Sequence, residues 1–248
     1  MRKKYLIKAS LLSMPIIVIL LCLTLSACGL AINLATVKQS QFKQLTQHIY
    51  ISPDMNDQET QQIQKLIEQS KAKVIAKYGD YQATPHFIVT SNKIQSDQFQ
   101  LGDVPATTYF LPWEADGYIV LGVTTRDVNI IAHEMVHAEV ADRLGGYSKR
   151  SLIPVWFDEG VALQVDEREQ YMNLAGVIST QAMQDVQMLH TPKQFWTQNK
   201  AQNIKHYQAA KQITMQILDK IDMPLFELLE KIKQGESFET LISVAFEK

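Results

Sequence analysis

The stretch His133-Glu134-Met135-Val136-His137 places two imidazoles four residues apart, with a carboxylate beside the first. On a helix, positions four apart lie one above the other on the same face, so both rings can reach a single cation. A divalent ion held there acidifies water toward neutral pH, and Glu134 stands where it can take the released proton and hand it to a leaving group. The chemistry on offer is metal-assisted hydrolysis. The bland alternative is a pair of satisfied histidines on a buried helix, so the weight of the pattern rests on its context. Thr124 and Thr125 offer N-caps, Asp127 suits the first turn and Gly145-Gly146 ends the run, which predicts a helix over residues 126–144. Val128, Ile131, Ala132, Met135, Val136 and Val140 would bury that helix and leave the histidines facing a cleft.

Catalytic zinc usually keeps three protein ligands and one open position, so a third ligand is needed. In Pro154-Val155-Trp156-Phe157-Asp158-Glu159-Gly160-Val161-Ala162, Pro154 suits a first helical position, Glu159 falls one turn further in, and Gly160 lets a neighbouring helix approach. Together, His133-Glu134-x-x-His137 and Trp156-x-x-Glu159-Gly160-x-Ala162 resemble the gluzincin metallopeptidases, in particular the short peptidase-MA-like domains of bacterial envelope proteins. The resemblance implies Zn²⁺ as cofactor, with His133, His137 and Glu159 as its ligands and Glu134 as general base. The segment His206-Tyr207-Gln208-Ala209-Ala210 is similar to the family's Y-x-x-A segment. That likeness nominates Tyr207, with His206 second, as the donor that steadies the oxyanion. Otherwise Tyr207 is an amphipathic helix residue with its hydroxyl at the surface. Two positions depart from the pattern. Glu139 replaces an apolar residue and is expected on a helix edge. Leu163 stands where an acidic residue would orient a ligand histidine, which leaves Asp158 and Asp166 as candidates, each otherwise a solvated surface charge.

Several elements must bring these groups together. Residues 48–52 read as a short strand closed by Pro53-Asp54. Residues 57–78 carry Ile63, Leu66, Ile67, Val74 and Ile75 near helical spacing and stop at Gly79. Strands are expected at 86–90, 107–111 and 118–123, with 92–104 as a polar connection. After Glu169 the chain reads as helical, broken at Gly176, Pro192 and Pro224, with helices over 201–221 and 225–232 and a short one near 238–246. The expected fold class is α+β: a small mixed sheet packed on the active-site helix, followed by a mainly helical C-terminal part. By analogy with the resembling family, residues 118–123 are the expected edge strand facing the cleft, where an extended peptide can pair; an ordinary core strand is the equal alternative. His48, His86 and His190 are expected at the surface or in loops.

Residues 1–27 begin with Arg2, Lys3, Lys4 and Lys8, continue through an apolar run over 11–25, and close on Leu25-Ser26-Ala27 before Cys28. That order is the layout of a secretory signal. Leu25-Ser26-Ala27-Cys28 resembles the bacterial lipobox, which implies cleavage before Cys28 and a lipid on its sulfur. An uncleaved membrane anchor is the rival, because the uncharged run extends from 9 to 37. Gly29 in place of aspartate after the cysteine points to the outer membrane in a two-membrane cell. Removing the signal leaves 20 basic against 26 acidic residues, which gives no basic face for nucleic acid. Cys28 is then the sole cysteine, so no internal disulfide forms and the core must supply the stability.

The expected organisation is a signal peptide over 1–27, a lipidated, polar and glutamine-rich tether with some helix over 28–47, and one gluzincin-like domain over 48–248. Within that domain, residues 48–123 are sheet-rich, 126–168 carry the zinc helices and 169–248 form a helical tail. The expected function is a zinc-dependent hydrolase, most simply a metallopeptidase of the cell envelope acting on peptide or protein and held to the membrane by its lipid. The alternative is a non-catalytic peptide-binding or assembly lipoprotein that keeps the fold. Glu134 argues against it, since binding alone needs no general base.

Overall fold

The computed structural model describes residues 29–37, 40–172 and 178–246. The signal peptide, Cys28 and the break expected at Gly176 lie outside the described residues. Five strands form one mixed sheet: β1 (Lys43–Thr46), β2 (Ile49–Ile51), β3 (His86–Val89), β4 (Ala106–Phe110) and β5 (Gly117–Leu121), in the order β1-β2-β3-β5-β4. Strands β2, β3 and β5 run parallel, whereas β1 and β4 are antiparallel to their neighbours at the two edges. The helices are α1 (Asp57–Tyr78), α2 (Lys93–Gln98), α3 (Val128–Leu144), α4 (Val155–Ala162), α5 (Thr180–Gln187), α6 (Pro192–Phe195), α7 (Lys200–Lys220), α8 (Leu225–Lys233) and α9 (Phe238–Ile242). The expected α+β class is therefore observed, with a mixed sheet and a mainly helical C-terminal part.

Alternation along the strands decides what each face of the sheet meets. Phe87 and Val89 of β3, with Ile119 and Leu121 of β5, enter the main core with α1 and α3. Ile88, Tyr118 and Val120 point the other way, into a second cluster with Leu34, Val37 and Phe42. The stretch expected as a tether thus belongs to the fold. Residues 29–35 are helical, β1 pairs with β2, and Leu34 and Val37 are buried against the sheet. Their spacing is that of an amphipathic turn, which the glutamine-rich surroundings masked.

The edge expected at residues 118–123 is also corrected. Strand β5 sits between β3 and β4, and Ile119, Val120 and Leu121 are fully buried. Burying such a side chain is worth about 1.5–3 kcal/mol, so an all-apolar run belongs at the centre of a sheet. The half-polar Ala-Thr-Thr-Tyr-Phe run of β4 is the edge. His86, expected at the surface, is buried on β3, where its ring stacks on His48 at 5.0 Å and meets Tyr118 at 5.2 Å.

Local signals set the helix ends. Asn56 and Glu59 close a reciprocal capping box at the start of α1, and Gly79, at φ 87°, takes the left-handed conformation that ends it. The start of α3 is capped by Asp127, whose carboxylate accepts the Asn129 N–H at 2.8 Å, and not by Thr124 or Thr125. The Thr125 hydroxyl is instead spent on the Pro105 carbonyl.

Candidate metal centre

Helix α3 lies under the sheet with every residue from Ile131 to Ala141 buried except Glu134. Residues 131–141 are enclosed on nearly every side, so burial fixes the helix in position and the histidines have little freedom. Glu139, expected on a helix edge, is 1% exposed. It accepts the backbone N–H groups of Gln82 and Ala83 at 2.9 and 2.8 Å and the Arg143 Nε at 2.7 Å, which locks α3 to the chain entering β3.

Helix α4 brings Glu159 to the histidines. It packs on α7 with no space between them: a Cβ on Gly160 would meet the Ala210 carbonyl oxygen at 2.6 Å and the Thr214 side chain as well. The glycine at this position is therefore what lets the third carboxylate approach. His133 Nε2 and His137 Nε2 are 3.2 Å apart, His133 Nε2 is 3.4 Å from Glu159 Oε2, and His137 Nε2 is 3.4 Å from Glu159 Oε1. All three residues are buried. Four ligands at about 2.0–2.1 Å from one ion keep their donor atoms roughly 3.3–3.4 Å apart in a tetrahedron; the separations here, 3.2 to 3.4 Å, are close to that value, with the two histidines facing different oxygens of Glu159. Among the described residues Glu159 Oε2 is buried without a hydrogen bond, its nearest charged partner being the His133 ring at 3.4 Å, so the carboxylate needs a proton or a cation on the cluster to offset its burial. The His133, His137 and Glu159 group could hold a metal ion.

Each histidine is braced from behind. His137 Nδ1 is 3.2 Å from Asp158 Oδ1, and His133 Nδ1 is 3.5 Å from Asp166 Oδ2. Neither aspartate is a solvated surface charge: Asp158 is 5% and Asp166 0% exposed. Arg150 pairs with Asp158, and Arg168 forks onto Asp166 through Nε at 2.9 and 3.0 Å. Burial pushes both carboxyls upward, but their arginine and histidine partners overcome it and hold them well below the usual carboxylate range. Burial likewise works against a charged His133, yet Asp166 and Glu159 raise it to about 10; His137 is raised for the same kind of reason by Asp158 and Glu159. The metal-free cluster therefore favours a proton where a cation would sit. The arginines escaped the sequence reading because each acts through an aspartate. Spacings of two and eight residues from those aspartates were the only signal available.

A cavity of about 510 Å³ opens over the cluster, bordered by β4, α3 and the first turns of α7. Thr108 of β4 donates to Glu134 Oε2 at 2.7 Å, so the edge strand holds the carboxylate beside the three residues that could hold a metal. Tyr207 lines the same cavity, its ring against Phe195 and Tyr171. Its hydroxyl accepts the Trp196 indole N–H at 2.7 Å and keeps its own proton to donate. Burial, aided by the Glu159 charge, raises the phenol far above its ordinary value, so it stays protonated. His206 is turned away, with Nδ1 on the Phe195 carbonyl at 2.7 Å and Nε2 on Gln202 at 2.8 Å. The structure thus brings Glu134 and Tyr207 to the three ligand residues and leaves His206 outside the cavity lining.

No protein-family model, curated protein or solved structure matches this chain.

Proposed function

We propose that the protein is a zinc-dependent hydrolase of the gluzincin type, a metallopeptidase of the bacterial envelope. The observation that carries this reading is Glu134. It is the one unburied residue in an otherwise buried helical run, and it opens into a cavity beside two histidines and a glutamate spaced as ligands of one ion. Zinc held by His133, His137 and Glu159 would supply a Lewis acid that polarises a carbonyl and acidifies water. Glu134 takes the proton of the attacking water and passes it to the leaving amine. Thr108 keeps that carboxylate aimed, and the Tyr207 hydroxyl donates to the developing oxyanion. Asp158 and Asp166 orient the ligand rings through their far nitrogens.

The substrate class follows from the edge strand. Val104, Ala106, Thr107 and Thr108 border the cavity, and among the described residues β4 has one edge without a neighbouring strand. An extended peptide can pair along it, presenting backbone carbonyls to the site. Cys28 is the proposed lipid attachment point. Because the fold is packed from residue 29 onward, a lipid there would hold the domain close against the membrane surface. Among the described residues no helix is long and apolar enough to cross a membrane.

The test pairs metal content with turnover. After zinc repletion, elemental analysis of the parent should give near one zinc per chain, and Glu159→Gln should lose or weaken it. Glu134→Gln should keep the metal and abolish cleavage of a peptide library read by mass spectrometry. A parent that stays empty, or activity that survives Glu134→Gln, rejects the hydrolase mechanism. Metal binding and peptide binding without turnover in the parent would instead support a non-catalytic peptide-binding lipoprotein.

A further inference from the structure

Two helical segments cover the sheet face turned away from α1 and α3. Residues 29–35 and the turn after them lay Leu34 and Val37 on it, and α2 leads into Phe99 and Leu101, which join the same apolar cluster. The segments are clasped together. Asn33 Nδ2 donates to the Gln98 carbonyl at 2.7 Å, and a cavity of about 350 Å³ at this seam is bordered by residues of both. Two isoleucines flank the seam and face solvent. Ile32, next to Asn33, is 59% exposed, and Ile94, one turn before Gln98 on the same side of α2, is 76% exposed. Among the described residues Ile94 is the most exposed large apolar side chain. Single apolar residues at a surface need no explanation, whereas two beside one seam make a patch that a partner can cover.

Where the chain leads decides the partner. The apolar run over 11–25 ends four positions before Gly29, a span of at most about 14 Å when extended. Cys28 adjoins the helical segment directly. A lipid on Cys28 and an uncleaved anchor thus bring the same helix end to the bilayer, and Ile32 follows about 4.5 Å further along the axis. The charges on α2 ask for no anionic surface, because Lys93 and Asp97 offset each other at 2.9 Å. A tether also makes a two-residue contact count, since it holds the patch at a high effective concentration of lipid. We propose that the seam between residues 29–35 and α2 is a membrane-docking face, with Ile32 and Ile94 entering the lipid bilayer at its surface and fixing how the domain sits on it. The inference rests on the membrane attachment read from residues 1–28. Val104 borders the metal cavity and also a pocket lined by Lys93, so the docked side reaches the rim of the cleft.

The test uses the full chain, purified with the N-terminus its host gives it and reconstituted into vesicles of phosphatidylethanolamine and phosphatidylglycerol, with or without bromine on the acyl chains. Ile32→Trp, Ile94→Trp and, as a control, Met188→Trp each add one indole at an exposed position. Met188 is 69% exposed and lies beside α5, on the main-core side of the sheet. The emission added by Ile32→Trp and by Ile94→Trp should move to shorter wavelength on reconstitution and be largely quenched by the brominated lipid, whereas that of Met188→Trp should stay unquenched. Ile94→Trp is the deciding variant, because Ile32 lies close to the attachment whatever the orientation. An unquenched Ile94→Trp, or equal quenching of Met188→Trp, overturns the proposal. The mass of the N-terminal peptide is read separately: both positions quenched without lipid on Cys28 keeps the docking face and rejects lipidation, whereas lipid on Cys28 with Ile94→Trp unquenched does the reverse. A chain that fails to float with the vesicles overturns both.

Discussion

His133 and His137 each carry an aspartate on the far ring nitrogen and an arginine behind that aspartate, yet the two braces sit in different surroundings. Asp166 is wholly buried and is gripped by the Arg168 fork, and neither residue borders the metal cavity or the second cavity beside it. Asp158 is also buried but borders that second cavity itself, and its arginine lines both cavities and so lies within reach of whatever enters them. One brace lies wholly inside the fold; the other ends on an arginine that lines a cavity wall. The same chemical device can therefore be placed where only the fold reaches it, or where the ligand reaches it too.

The largest expected effect breaks the aspartates. Asp166→Asn and Asp158→Asn should each weaken zinc binding about tenfold to a hundredfold, the usual cost of removing an outer partner of a ligand histidine. Asp166→Asn should cost more, because water can reach the Arg150 side of the site and substitute in part. Equal losses, measured by competition with a chromophoric chelator, would remove the distinction between the braces.

Proton linkage sharpens the comparison next. Metal and proton compete for the same ring nitrogen, and His133 is raised to about 10 in the metal-free cluster. Zinc binding should then release protons at neutral pH, and the apparent affinity should rise with pH, by about tenfold per unit for each proton released. Titrations in buffers of different ionisation enthalpy count those protons. Asp166→Asn should flatten the dependence, since Asp166 is among the groups that hold the His133 proton. A pH-independent affinity would contradict this.

The smallest effect separates the arginines. Arg168→Met leaves Asp166 buried without its fork and should destabilise the fold by about 1–3 kcal/mol, a fall in Tm of several degrees. Arg150→Met should shift the Tm less but weaken peptide binding. Calorimetric melts beside peptide titrations check the pair, and an equal fall in Tm with unchanged peptide binding would show that both arginines are only structural.

The ligand motif was legible because it is local: His133, Glu134 and His137 lie within one helical turn, and Gly160 follows Glu159 directly. The apolar spacing of 57–78 and its stop at Gly79 were equally readable, and the helix there runs over those same residues. Contacts between distant segments were not legible. Thr108 meets Glu134 across 26 residues, and nothing near either announces the other. The misplaced edge had a usable signal, however. Gly-Tyr-Ile-Val-Leu lacks the polar alternation of an exposed strand, whereas Ala-Thr-Thr-Tyr-Phe has it, so the pattern alone ranks β5 as central. Some helix was expected in residues 29–47, but its packing on the sheet was missed because composition was weighed over spacing; Leu34 and Val37 lie three apart, the interval of one helical face.

The packing of α4 on α7 at Gly160 sets an order of assembly. A chain growing from its N-terminus exposes all three ligand residues before α7 has been made, since α7 begins at Lys200. Until α7 arrives, α4 lacks the helix that packs against its Gly160 face. A protein truncated before Lys200 should therefore carry all three candidate ligand residues and hold a metal ion less tightly.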